Sequence, residues 1–138
     1  MRTGVADLLV FAIVRGACLQ GTDWLRTFPR DASLADVLNA LRLIDIRYLR
    51  WLLHDAYDPI FPTEEILNLR VALMEYQNAT ADSRIYMIND CQHILEASPV
   101  NLDMWEKRVL KYEAENSDSW AAFKQTILPD LAKWLERL

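Results

Sequence analysis

Arg47, Arg50 and His54 are the residues whose types and spacing come closest to a reactive set in this 138-residue sequence. A guanidinium neutralises phosphate or carboxylate with paired hydrogen bonds, and an imidazole moves protons near neutral pH. On a regular α-helix positions 47 and 54 lie two turns apart, about 20° around the axis and about 10 Å along it, with Arg50 between them. The three side chains then share one face, opposite much of an apolar stripe. Arg42 adds a cation to the same segment, with Asp45 as its expected local partner at i+3.

Other chemistry is poorly provided for. The only histidines are His54 and His93, and the two cysteines, Cys18 and Cys91, are far apart in sequence, so no metal-ligand spacing exists and no metal or cofactor is expected. Cys91 and His93, two positions apart on a helix, point about 200° away from each other, which reads as a core thiol beside a surface imidazole. Both cysteines lie in apolar patterns and are expected to be buried as small hydrophobes. No glycine-rich phosphate loop and no Gly-x-Ser-x-Gly elbow occurs. The carboxylate pairs, Glu64 with Glu65 and Glu113 with Glu115, sit where helices begin or end and serve helix dipoles and solvation.

The elements that must position these groups are helices. All three glycines, Gly4, Gly16 and Gly21, precede residue 22, and no Asn-Gly or Asp-Gly pair is present to turn a hairpin. A first helix is expected over 5–20, begun by Thr3, stopped by Gly21 and buried on most sides, followed by a single turn over 23–27. Ser33 with Asp36 makes a reciprocal cap for a long helix over 33–56. Its Leu34, Val37, Leu41, Ile44, Tyr48 and Trp51 recur at spacings of three and four, widened by Leu38, Leu49, Leu52 and Leu53. Asp58-Pro59 and Phe61-Pro62 end it.

Thr63 caps a helix expected to bury Ile66, Leu67, Leu69, Val71 and Leu73. A helix over 82–97 carries apolar Ile85, Tyr86, Ile88, Cys91, Ile94 and Leu95, and another follows Asn101 with Met104, Trp105, Val109, Leu110 and Tyr112. The last starts at Ser117 and runs through Leu131, Trp134, Leu135 and Leu138, where Pro129 either kinks one helix or separates two. Short connections favour antiparallel neighbours. The expected fold is therefore all-α, a compact single-domain bundle of about six to seven helices spanning 1–138. A chain of this size hides about 68% of its unfolded surface, which suits one core and not two.

With Arg47 and His54 on one helix of a small all-helical domain, the segment resembles the Arg-x(4 to 6)-His motif of HEPN ribonucleases. The resemblance implies metal-independent RNA cleavage at a dimer interface, with Arg47 steadying the phosphate and His54 transferring protons. It covers about eight residues, and Tyr48 stands where the family usually has a polar residue.

Composition points elsewhere. The formal charge is −5, from 15 basic and 20 acidic residues, which opposes a chain built to hold phosphate backbones. Five tryptophans and 11 arginines against 4 lysines are the side chains favoured at protein interfaces. The leading expectation is thus a non-enzymatic interaction protein of the inhibitor, immunity or virus-encoded antagonist type, binding a protein with a basic patch. Its contact residues would be Arg42, Arg47, Arg50, His54, Trp134 and Leu138. The ribonuclease is the alternative, and a structural homo-oligomer the second alternative; nucleic acid enters only with the ribonuclease. The seven apolar residues over 8–14 are too few to span a membrane. Asp7 and Arg15 spoil a leader pattern before Gly16-Ala17-Cys18, so a cytoplasmic protein is expected.

Overall fold

The computed structural model describes residues 4–55, 63–97 and 99–136, and these form an all-α bundle. Eight α-helices occur among them: α1 (Val5–Val14), α2 (Leu19–Arg26), α3 (Leu34–Ala40), α4 (Ile46–Arg50), α5 (Glu64–Ala79), α6 (Ala81–Glu96), α7 (Leu102–Glu115) and α8 (Ser117–Glu136). A 3₁₀ turn, Leu43–Asp45, precedes α4, and a π turn, Trp51–Asp55, follows it. One apolar cluster joins α1 to α5 with α8 and receives Tyr112 from α7. Its deepest side chains are Trp134, Leu53, Ile66, Leu69, Leu73, Ile127 and Leu131.

Several helix starts follow the expected chemistry. The Ser33 hydroxyl accepts from the Asp36 amide at 3.1 Å while Asp36 accepts from the Ser33 amide at 3.0 Å. Thr63 accepts from Ile66 at 3.4 Å and Asn101 from Met104 at 3.0 Å, so each starts its helix by satisfying a free amide. The first helix, however, stops at Val14 and does not reach residue 20. Gly16 has φ of +77°, and the amides of Gly16 and Ala17 donate back to the carbonyls of Ile13 and Ala12. Those two bonds close a Schellman motif, for which a residue without Cβ is best suited. Gly21, expected as the stop, lies inside α2, which is a full helix in place of the expected single turn.

The long helix expected over 33–56 is broken. Leu41 and Arg42 are extended, with ψ of 121° and 149°. What holds the break is α8: the Leu41 carbonyl accepts from Trp120 Nε1 at 2.8 Å and from Lys124 Nζ at 3.3 Å, and Lys124 also reaches the Asn39 carbonyl at 2.8 Å. Carbonyls at a helix end need donors, and a lysine supplies both hydrogen bonds and the sign of charge that the end favours. Apolar spacing cannot reveal a break whose cause lies some 80 positions away. Leu34, Val37, Leu38, Leu41, Leu49, Leu52 and Leu53 are still buried, as the stripe predicts.

Pro129 does not divide α8, which is continuous from Ser117 to Glu136. Pro129 and Gln125, whose carbonyl loses its helical donor, are both exposed, so water can serve that carbonyl.

Candidate functional site

The expected contact residues do not form one face. Arg42 lies in the extended break, and its partner is not Asp45 but Glu113 of α7, which it grips through Nε at 3.1 and 3.2 Å and through a terminal nitrogen. That hydrogen bond raises the Arg42 pKa above the ordinary guanidinium value, so this arginine clamps α7 to the segment before α4. Arg47 is exposed on α4; it donates to Gln20 Oε1 at 3.3 Å and lies 5.2 Å from the centre of the Tyr48 ring. Arg50 closes α4, and His54 belongs to the π turn, both exposed. The π turn arises where the Leu53 carbonyl accepts from Arg70 Nε of α5 at 2.6 Å. It replaces the uniform α-helical register that underlies the 20° estimate. Among the described residues no hydrogen bond or ion pair joins Arg47, Arg50 and His54.

Trp134, expected as a contact anchor, is 0% exposed, with its ring set edge-on to Phe11 at 6.4 Å. It belongs to the core and cannot meet a partner in the folded protein. Leu138 lies outside the described residues, as does Thr3. Cys91 is buried, where desolvation raises its thiol pKa, and His93 is exposed, as their spacing implies. Cys18 departs from expectation: it precedes α2 and is exposed. No group of histidine, cysteine or acidic side chains able to hold a metal ion occurs among the described residues. No helix among them is long and apolar enough to cross a membrane.

Two features stand out that the sequence does not mark. The first is a pair of exposed apolar stripes, one on α5 and one on α6. Leu67, Val71 and Met74 of α5, spaced i, i+4 and i+7, are 46%, 47% and 55% exposed. On α6 Ile85, Ile88 and Leu95 are likewise exposed and fall within about 80° of one another around the axis. Apolar spacing predicts burial for most of these residues, yet Cys91 is the only buried residue of α6. The exposed charges of these two helices are of one sign. Glu64, Glu75, Asp82 and Glu96 are exposed, whereas the two arginines of these helices, Arg70 and Arg84, are half-buried and donate to the carbonyls of Leu53 and Gln77.

The second feature is a cleft of about 420 Å³ between α1, α2, α3 and α4. Its walls include Leu8, Ala12, Gly21, Trp24, Leu38 and Trp51, and Arg47 is the one charged side chain among the described residues that line it. Trp24 stacks on Tyr48 at 5.9 Å and meets Phe28 edge-on at 5.0 Å, which stiffens one wall. Gln20, Cys18 and Tyr48 also line it with polar side-chain atoms, as do the indoles of Trp24 and Trp51. No protein-family model, no curated protein and no solved structure matches this chain.

Proposed function

We propose that this protein acts without catalysis, by binding another protein through the exposed α5–α6 surface. The observation that carries the reading is the occurrence of apolar stripes on two successive helices whose own exposed charges are all acidic. Apolar side chains repeated at helical spacing and left in water are the anchors of helix-in-groove recognition. The partner that fits has an apolar groove edged by lysine or arginine, in keeping with the −5 charge of the chain. Antagonism of a basic active site or nucleic-acid-binding surface is the biological role to which such a surface is suited.

The test is capture from the native host with wild-type protein and with the double variant Val71→Asp, Ile88→Asp. Both positions are exposed, so the fold should persist by circular dichroism. Retention of a specific partner by the wild type, weakened by salt and lost in the double variant, is the expected result. Equal retention by both proteins removes this surface from consideration. Light scattering on the purified chain separates the other occupant: a dimer broken by the same substitutions means that the partner is a second copy.

A further inference from the structure

The cleft between α1, α2, α3 and α4 carries an inference independent of the α5–α6 surface. We propose that it is a binding site for a small amphipathic monocarboxylate, with an apolar chain inside and the carboxylate on Arg47. Three observations combine. The walls are aliphatic and aromatic, with Leu8, Leu38, Trp24 and Trp51 among them, so an occupant gains by leaving water. The single charge on the lining is a guanidinium, held at the rim by Gln20 Oε1 at 3.3 Å and by the Tyr48 ring. No carboxylate lines the cleft among the described residues, so an anion meets attraction there without an opposing charge.

The size selects the ligand. A volume of about 420 Å³ falls within the range of small-molecule sites. At roughly 30 Å³ per non-hydrogen group, the share of one water in the liquid, it accommodates about fourteen such groups. A straight-chain acid of about ten to twelve carbons matches that count. Arg47 supplies orientation: the carboxylate stays at the mouth, where it remains partly hydrated, and the chain runs inward past Gly21 and Trp24.

Binding is measured calorimetrically with sodium decanoate below its micellar concentration, against decanol and decylammonium as neutral and cationic counterparts. Decanoate is expected to bind at least tenfold more tightly than either. From hexanoate to decanoate each methylene should add about fourfold, with no gain beyond dodecanoate. Arg47→Gln should bring decanoate down to the level of decanol while leaving decanol unchanged. Gly21→Leu adds a side chain at a position where a Cβ would lie 3.7 Å from Cys18 Sγ and 3.8 Å from the Tyr48 ring, and it should abolish binding of both.

Exposed Cys18 gives a readout on the wild-type protein, because decanoate in the cleft should slow its alkylation while buried Cys91 stays unreactive. Three results overturn the proposal: no heat and no Cys18 protection at millimolar decanoate, equal affinity for decanoate and decanol, or an Arg47→Gln protein that still prefers decanoate. Substitutions at Val71 and Ile88 should leave all of these measurements unchanged, which separates this site from the protein-binding surface.

Discussion

Replacing Lys124 with methionine tests how α8 holds the break between α3 and α4. The methionine retains a flexible apolar stem of similar length, so packing against Trp120 is largely kept. What is lost is the pair of donors to the Asn39 and Leu41 carbonyls, at 2.8 and 3.3 Å, together with the ammonium 5.4 Å from the centre of the Trp120 ring. Leu41 keeps its bond from Trp120 Nε1, whereas Asn39 loses the donor that α8 provides. Hydrogen bonds involving a charged group contribute about 1.5–3 kcal/mol, and relief from burying the ammonium offsets part of this. A net loss of about 1–2.5 kcal/mol follows.

For a domain of this length that loss lowers Tm by roughly 3 °C per kcal/mol, hence about 3–8 °C in all. Urea unfolding followed by far-UV circular dichroism measures it directly. The pH dependence has a definite sign. Burial lowers the Lys124 pKa below the ordinary 10.5. Between that lowered native value and 10.5 the unfolded chain binds more protons at this lysine than the native one, so the Lys124 contribution grows with rising pH and the wild-type lead over the methionine variant widens, whatever other groups do to both proteins. A Lys124→Met protein as stable as wild type at pH 7 would refute the reasoning and leave the break to Trp120 and the local sequence.

Three further outcomes follow from the same structure. Trp134→Ala should cost about 3–5 kcal/mol because its side chain is wholly buried against Phe11, and urea titration should find the variant unfolded or nearly so, whereas an exposed contact residue would cost little. Gly21→Ala should stabilise α2 by about 0.5–1 kcal/mol, since the added carbon meets neighbours only at ordinary contact distance; a lower Tm would contradict this. Burial raises the pKa of Tyr76, Tyr112 and Cys91, so above about pH 9 the unfolded chain sheds these protons first and stability falls as pH rises. Tyr76→Phe should flatten the part of that fall above pH 10, as read from urea midpoints across the alkaline range.

The helices are legible in the sequence because their signals are local. Ser33 with Asp36, Thr63 and Asn101 act within three residues, and the Leu49, Leu52 and Leu53 cluster keeps its burial whether or not the helix before it is continuous. Features made by distant partners are not legible. Leu41 leaves the helix because Trp120 and Lys124 take its carbonyl, and Arg42 abandons nearby Asp45 for Glu113. His54 enters a π turn where Arg70 binds the Leu53 carbonyl.

The same limit applies to the two proposed binding surfaces. Leu67, Val71, Ile85 and Ile88 carry the periodic apolar signal of core residues, and spacing alone does not say whether a helix face has a neighbour to cover it. Arg47 is visible as a candidate, but its setting at the mouth of an apolar cleft depends on Gln20, Trp24 and Leu38 arriving from other elements. Composition is the more reliable guide to charge, since the −5 balance foreshadows the acidic sign of the exposed charges on α5 and α6.

The central claim is that α5 and α6 meet a partner protein, and hydrogen exchange read by mass spectrometry on the captured complex tests it most directly. Protection on binding should be confined to 64–96, strongest around Val71 and Ile88, with α4 and the π turn unchanged. Protection centred on Arg47, Arg50 and His54, or none on α5 and α6, would contradict it.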